Sequence, residues 1–349
     1  MNYSNIAVIG SGISGLTTTY LLQQKYNVTL FEQQDYLGGH TNTVDIEAQG
    51  QVFPVNTGFI VFNDWTYPNF IRLMDHLGVA SEDSEMSFSV RCDRTGLEYN
   101  GASLNSLFCQ RRNLINLSFW RMIKDIMRFN RQAIEDYRHG LLDCGVTLGE
   151  YLQSNGYTRE FCRYYIIPMG SAIWSASESD MMAFPAAFFV RFFHHHGLLS
   201  IDNRPQWRVI SGGSRSYVHA LKARFSGSVH INHTIDAVQR HERGVTLIDA
   251  YGDCHEFDAV VFACHSDQAL AMLERPSVVE KTVLGAIPYQ DNSVLLHTDT
   301  RLLPRNQRGW AAWNYMIPRQ AEQPVTVTYN MNILQNFNSD TTFCVSLNQ

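Results

Sequence analysis

Ile6-Ala-Val-Ile9-Gly10-Ser11-Gly12-Ile13-Ser14-Gly15, with Val28-Thr-Leu-Phe31-Glu32 behind it, is the stretch that decides the fold. The apolar run Ile6–Ile9 reads as a strand buried on both faces. Leu16 to Gln24 reads as a helix, with Leu16, Tyr20 and Leu21 at helical spacing. Val28–Phe31 is a second strand, and together they form a βαβ unit. Gly10 permits the tight turn, Gly12 lets a pyrophosphate reach the backbone, and Gly15 lets helix and strand pack closely. The backbone N–H groups of Ser11, Ile13 and Ser14 belong to the same turn, at the positive end of the helix. Glu32 lies 22 residues beyond Gly10 and is placed to accept both ribose hydroxyls of a dinucleotide. A carboxylate there repels a 2′-phosphate, which disfavours NADP. The alternative, a glycine turn with no ligand, does not explain why strand, helix, second strand and acid all stand in order.

Glu32 is followed by Gln33-Gln-Asp-Tyr-Leu-Gly38-Gly39-His40-Thr41. This second glycine pair resembles the extended fingerprint of the FAD-binding amine oxidase, phytoene desaturase and protoporphyrinogen oxidase superfamily. The resemblance implies that the pair lies under the FAD diphosphate and ribityl chain. The family's usual basic residue there is Arg, and here it is His40, whose charge depends on pH. Val52-Phe-Pro-Val-Asn56-Thr57-Gly58-Phe-Ile-Val-Phe62 looks like the family segment that passes the flavin ring, and Gly58 would let the backbone come close. An ordinary strand and turn is the plainer reading of the same residues.

The resemblance resumes at Val209-Ile-Ser-Gly212-Gly213 and the helix after it. Ser228–Ile231 and Ile235–Val238 look like the second cofactor-contacting strand region, and the resemblance implies that Val238 meets the adenine end through its backbone. Gly244–Ile248 and Phe257–Ala263 complete a β-meander and a return strand. Ala263-Cys264-His265 stands where the family usually places a proline, so Cys264 reads as a strand-end residue beside the cofactor. Residues 293–347 alternate in strand fashion, which predicts a mostly antiparallel sheet. The family ends with another glycine-rich segment. None follows residue 270, so the resemblance implies a shortened form or a fragment with weakened FAD retention.

The expected fold is α/β. A Rossmann-like FAD-binding domain of the glutathione-reductase type comprises residues 1–64 and 206–270. A substrate domain comprises 65–205, helical, and 271–349, an antiparallel sheet. Within the helical part, Ser118–Arg138 has Phe119, Ile123, Ile126 and Ile134 near one face, and Arg121, Lys124, Arg128 and Arg131 largely elsewhere. Such a helix can rest on an anionic membrane surface, though packing on its own domain is commoner. Phe184, Phe188, Phe189, Phe192 and Phe193 repeat at helical spacing and read as core before they read as a substrate tunnel. His194-His195-His196 diverge by about 100° per residue on a helix and cannot share one metal, so no metal is assigned.

Composition narrows the class. The 349 residues are 45% apolar and 17% charged, which excludes a disordered chain. At about 150 residues per domain, one or two domains are expected. A net charge of −6 calls for no nucleic-acid partner. Seven cysteines, without CxxC spacing, fit reduced thiols and a cytoplasmic setting. No basic leader with an apolar stretch opens the sequence, and no run of 18 apolar residues occurs.

The resemblance implies an FAD-dependent oxidoreductase that accepts hydride from a C–H bond of a small molecule. The apolar stretch 184–199 favours a hydrophobic substrate such as a fatty-acyl or polyene chain. His196-Gly-Leu-Leu, Arg204-Pro-Gln-Trp-Arg208 and Trp313-Asn-Tyr315 resemble bacterial NAD/FAD-binding oxidoreductases often associated with fatty-acid modification. Amine oxidases of the superfamily place a Lys near the flavin. The four lysines, at 25, 124, 222 and 281, do not fall at the expected strand start near Asp291-Asn292, where Asn292 is the substitute candidate for holding a water. The alternatives are a flavin amine oxidase, a flavin-binding protein without turnover, and a plain NAD dehydrogenase.

Overall fold

The computed structural model describes residues 4–142, 145–200, 202–319 and 326–348. Cys144, one of the seven cysteines, and Val325, within the stretch 293–347 read as strands, lie outside them. The opening unit forms as read, with strand Asn5–Ile9, helix Ile13–Leu22 and strand Asn27–Phe31. These two strands are the centre of a four-stranded parallel sheet. Ser228–His230 flanks Asn27–Phe31, and Ala259–Phe262 flanks Asn5–Ile9.

The apolar run of the first strand has a direct cause. Val8 packs on one face with Leu16, Val28, Leu30, Tyr217 and Leu221. Ala7 and Ile9 pack on the other with Phe31, Ile235, Val238 and Leu247. Alternate side chains point to opposite faces, so a strand covered on both sides needs apolar residues throughout. The second face is covered by an antiparallel meander, Ile235–His241, Gly244–Asp249 and Cys254–Phe257.

A second layer is a six-stranded sheet in the order Val294–His297, Cys344–Leu347, Thr326–Asn330, Trp313–Ile317, Phe88–Cys92, Leu97–Asn100. Every pairing is antiparallel except Trp313–Ile317 with Phe88–Cys92. Two of its strands, and a third at Ser81–Ser84, come from the stretch expected to be helical. They are four or five residues long and turn through Gly96 at φ +70°, too short to show a strand period. Helix Pro68–Leu77 also departs from its expected partner layer: Met74 and Leu77 share the core of Val8 and Leu16.

Helix Leu117–Arg138 packs on its own layer, burying Phe119, Met122, Phe129 and Ala133. Phe189 and Phe193 are fully buried beside Phe129 and Phe161, so most of the phenylalanine stripe is core, while Phe188 remains exposed. His196 stacks on Phe192 at 3.9 Å and closes the same helix. The six described cysteines are free. Among the described residues no helix is long and apolar enough to cross a membrane.

Candidate cofactor site

Gly10 adopts φ +99°, and its nitrogen donates to the Phe31 carbonyl at 2.8 Å, joining the turn to the second strand. A Cβ on Gly10 would meet the Ala263 oxygen at 2.7 Å. A Cβ on Gly15 would fall well inside contact distance of the Gly10 carbonyl and 3.3 Å from the Ala263 Cβ. Glycine is therefore required at both positions by protein–protein contact, and Ala263 is the residue they close upon. Gly12 differs: a Cβ there would meet nothing within 4 Å. Its backbone, at φ −62°, is open to any residue, so the empty space is what its missing side chain provides.

Gly12 is the N-cap of helix Ile13–Leu22, and no side chain caps that helix. No acidic residue occupies its first turn. The exposed Ile13 and Ser14 thus present helix-start N–H groups that a diphosphate can accept from.

Glu32 is buried, and three bonds hold its carboxylate. Oε2 accepts from the Ser11 N–H at 2.9 Å and the Ser11 hydroxyl at 2.6 Å, and Oε1 accepts from the Gln34 N–H at 2.9 Å. A carboxylate offers about four acceptor positions, so one stays available without rearrangement. The sequence reading gave Glu32 two ribose hydroxyls. Here its first task is to anchor the glycine turn. Gln33, next in sequence, is exposed.

The second glycine pair lies directly on the first. The Gly38 nitrogen donates to the Ser11 carbonyl at 3.0 Å, and a Cβ on Gly39 would stand 3.1 Å from the Gly12 Cα. Both glycines have positive φ. From there a continuous wall extends. Thr41 closes the turn onto the Gly38 carbonyl at 3.0 Å and shares a hydrogen bond with Tyr217, whose hydroxyl burial keeps protonated. The Phe59 nitrogen donates to the His40 carbonyl at 2.9 Å, and the Thr57 nitrogen to the Asn42 carbonyl at 3.0 Å. Gly58 packs against the His40 carbonyl, so the close backbone approach expected there is made by the protein itself.

Asn56 is fully buried, and its Oδ1 accepts from Thr43 Oγ1 at 2.8 Å and from the Ser214 N–H at 2.9 Å. Its backbone N–H donates to Gln335 at 2.8 Å, and its own Nδ2 has no partner. The network seats the start of helix Arg215–Ala223 on strand Thr43–Ala48. Arg215 grips Asp45 with both guanidinium nitrogens, which holds the Asp45 carboxyl below its ordinary range.

Val238 is buried between the parallel sheet and the meander, and its carbonyl accepts from the Glu274 N–H at 3.3 Å. His233 approaches the turn, donating its backbone N–H to the Glu32 carbonyl at 2.8 Å. Its Nε2 and that of His255 each lie 2.9 Å from Asp249 Oδ2, in a group whose three donor atoms fall within 4.8 Å of one another. No sequence spacing announced this cluster, which pins the meander beside Phe31.

His40 is exposed, and its ring stacks on His265, which stacks in turn on Tyr289 at 4.3 Å. Cys264 precedes that stack, and burial pushes its thiol up, so it stays protonated and is a poor nucleophile. Asn292 lies in an exposed segment, where its Oδ1 accepts from Asn348.

The residues present therefore fit a dinucleotide. There is an open space over Gly12, an uncapped helix start beneath it, and a buried carboxylate with spare acceptor capacity at the end of the second strand. A family model described as flavin containing amine oxidoreductase matches residues 13–341. A Mycobacterium tuberculosis protein assigned as a flavin-containing monoamine oxidase, AofH, is 24% identical over 261 residues, covering 71% of this chain and 54% of that protein. The chain thus spans about half the length of that relative. Among solved structures, a fatty acid isomerase from P. acnes that produces CLA superposes with a TM-score of 0.67 at 16% identity, over 99% of this chain and 77% of its own. Putrescine oxidase with putrescine bound gives 0.66 at 18% identity, over 99% and 75%. The two solved structures share the fold, and the match over residues 13–341 settles the family: this chain belongs to the flavin containing amine oxidoreductases, whose cofactor is FAD.

Proposed function

We propose that the chain is an FAD-dependent oxidoreductase that takes hydride from a C–H bond of an apolar small molecule, of the fatty-acyl or polyene kind. The observation that carries the reading is the open space over Gly12, bounded by the Gly38-Gly39 turn and the Glu32 anchor. Gly12, Ile13 and Ser14 offer the diphosphate its N–H donors, and Glu32 accepts one ribose hydroxyl. Ser11, Gly38 and Thr41 keep the two turns in register. Gly10, Gly15 and Ala263 close the floor. Bound FAD supplies the hydride acceptor, and the chain supplies position and exclusion of water. Residues 1–64 and 206–270 are assigned to holding the cofactor, and 65–205 and 271–349 to the substrate.

One feature favours an apolar substrate over an amine. All four lysines are exposed, so none stands buried beside a reacting centre. The fatty acid isomerase and putrescine oxidase superpose equally well, so likeness of fold favours neither substrate. The amine-oxidase reading keeps its support from the family and from AofH.

Purified protein should show flavin absorbance, and release about one FAD per chain on denaturation. Anaerobic addition of an unsaturated fatty acid or a polyene should bleach the flavin, while primary amines should not. Bleaching by amines alone would select the amine-oxidase reading. A colourless protein that takes up no FAD on reconstitution would remove the proposal.

A further inference from the structure

Five large apolar side chains crowd one corner of the helical layer and face solvent. Leu104 is 77% exposed, Ile115 86% and Leu117 73%, with Leu114 and Trp120 about half exposed. Local bonds hold them as one knob. Trp120 Nε1 donates to the Leu114 carbonyl at 2.9 Å, and Phe108 packs on Trp120 at 5.3 Å. Arg111 ties the knob together by donating to the Phe108 carbonyl at 2.8 Å and to Asn105 Oδ1 at 2.5 Å. Burying such side chains is worth far more than exposing them, and contiguous exposed apolar surface of this kind marks a contact site.

Charge identifies the partner. Residues 99–124 contain Arg111, Arg112, Arg121 and Lys124 and no Asp or Glu, in a chain of net charge −6. None of the four is in an ion pair among the described residues. Exposed apolar side chains on a segment that carries four cations and no acid match an anionic bilayer surface. Beside the knob a cleft of about 410 Å³ enters the helical layer, with Leu97, Phe119, Met122 and Tyr164 on part of its lining and Arg112 and Glu160 among its polar residues.

We infer that Leu104, Leu114, Ile115, Leu117 and Trp120 dip into an anionic lipid surface, with the arginines and Lys124 on the headgroups, and that the cleft beside them receives an apolar substrate from that surface. The lipid contact stands on the exposed residues alone, and only the substrate clause rests on the proposed oxidoreductase reading.

The test is co-sedimentation of the full chain, with and without FAD, on phosphatidylcholine vesicles and on vesicles containing about 30% phosphatidylglycerol. Binding should favour the anionic vesicles, weaken as salt rises, and fall at least about 10-fold in the Ile115→Glu/Leu117→Glu double variant. Both positions are exposed, so the variant's Tm should equal that of the parent. Equal binding to neutral vesicles, no binding to either, or unchanged binding by the double variant would overturn the inference. So would a dimer that dissociates in the double variant, because the knob would then be covered by a second copy. Vesicle binding without any flavin uptake would instead count against the oxidoreductase reading and leave the surface contact standing.

Discussion

The Gly15→Ala protein should lose both stability and flavin. On an isolated helix the exchange would help, because Ala is favoured over Gly by about 1 kcal/mol. Here the added methyl has no room. It falls against the Gly10 carbonyl and the Ala263 side chain, both backed by strands of the parallel sheet. Neither neighbour is the free end of a flexible side chain, so relief requires the helix to move off the sheet. Overpacking of this kind costs about 3 kcal/mol, which outweighs the propensity gain and, in a chain of 349 residues, lowers Tm by on the order of 3–4 °C. The displaced helix start also carries the N–H groups assigned to the diphosphate, so FAD should be absent from the purified variant. Thermal denaturation and the flavin-to-protein absorbance ratio check both parts. A variant with parental Tm and full flavin would show that the helix does not sit where the structure places it.

Glu32→Arg should be nearly as damaging to cofactor binding, for a different reason. The carboxylate of Glu32 accepts from both the N–H and the hydroxyl of Ser11 and from the N–H of Gln34. A guanidinium accepts nothing, so the turn loses its anchor and the donors lose their partner, at about 1–3 kcal/mol for each one left buried and unpaired. It also sets a cation near the positive end of helix Ile13–Leu22. FAD affinity should fall at least about 100-fold. Glu32→Gln keeps one acceptor oxygen and should fall between parent and Arg. Equal affinity in all three proteins, by titration of cofactor-free protein, would remove Glu32 from the site.

What the sequence revealed, it revealed through local constraint. The Gly10, Gly12 and Gly15 spacing, the apolar run Ile6–Ile9 and the acid at Glu32 lie within one βαβ unit, where each residue's neighbours are close in the chain. The Gly38-Gly39 pair was legible for the same reason, since it folds back on Gly12 only 27 residues away. Contacts across long separations left no such trace. Asn56 meets Ser214 and Gln335, 158 and 279 residues distant, and nothing in its surroundings announces a buried hub. Val238 sits in a strand with the expected pattern, while the partner of its carbonyl, Glu274, comes from a segment that pattern does not include. Gly58 is a place of close backbone approach, which the resemblance assigned to the flavin ring. The approaching group, the His40 carbonyl, became visible only with the fold. The helical period of Leu117–Arg138 was plain, whereas the outward turn of Leu117 and Trp120 depends on where the preceding short helices end.

Gly12 separates cofactor binding from folding. A Cβ there meets no protein atom within 4 Å, and the backbone conformation suits any residue. The decisive measurement is the titration of cofactor-free Gly12→Val protein with FAD, alongside its Tm. A Tm within about 3 °C of the parent, with FAD affinity at least about 100-fold lower, is the predicted result. Full FAD affinity in a folded Gly12→Val protein would mean that the dinucleotide does not lie over this turn.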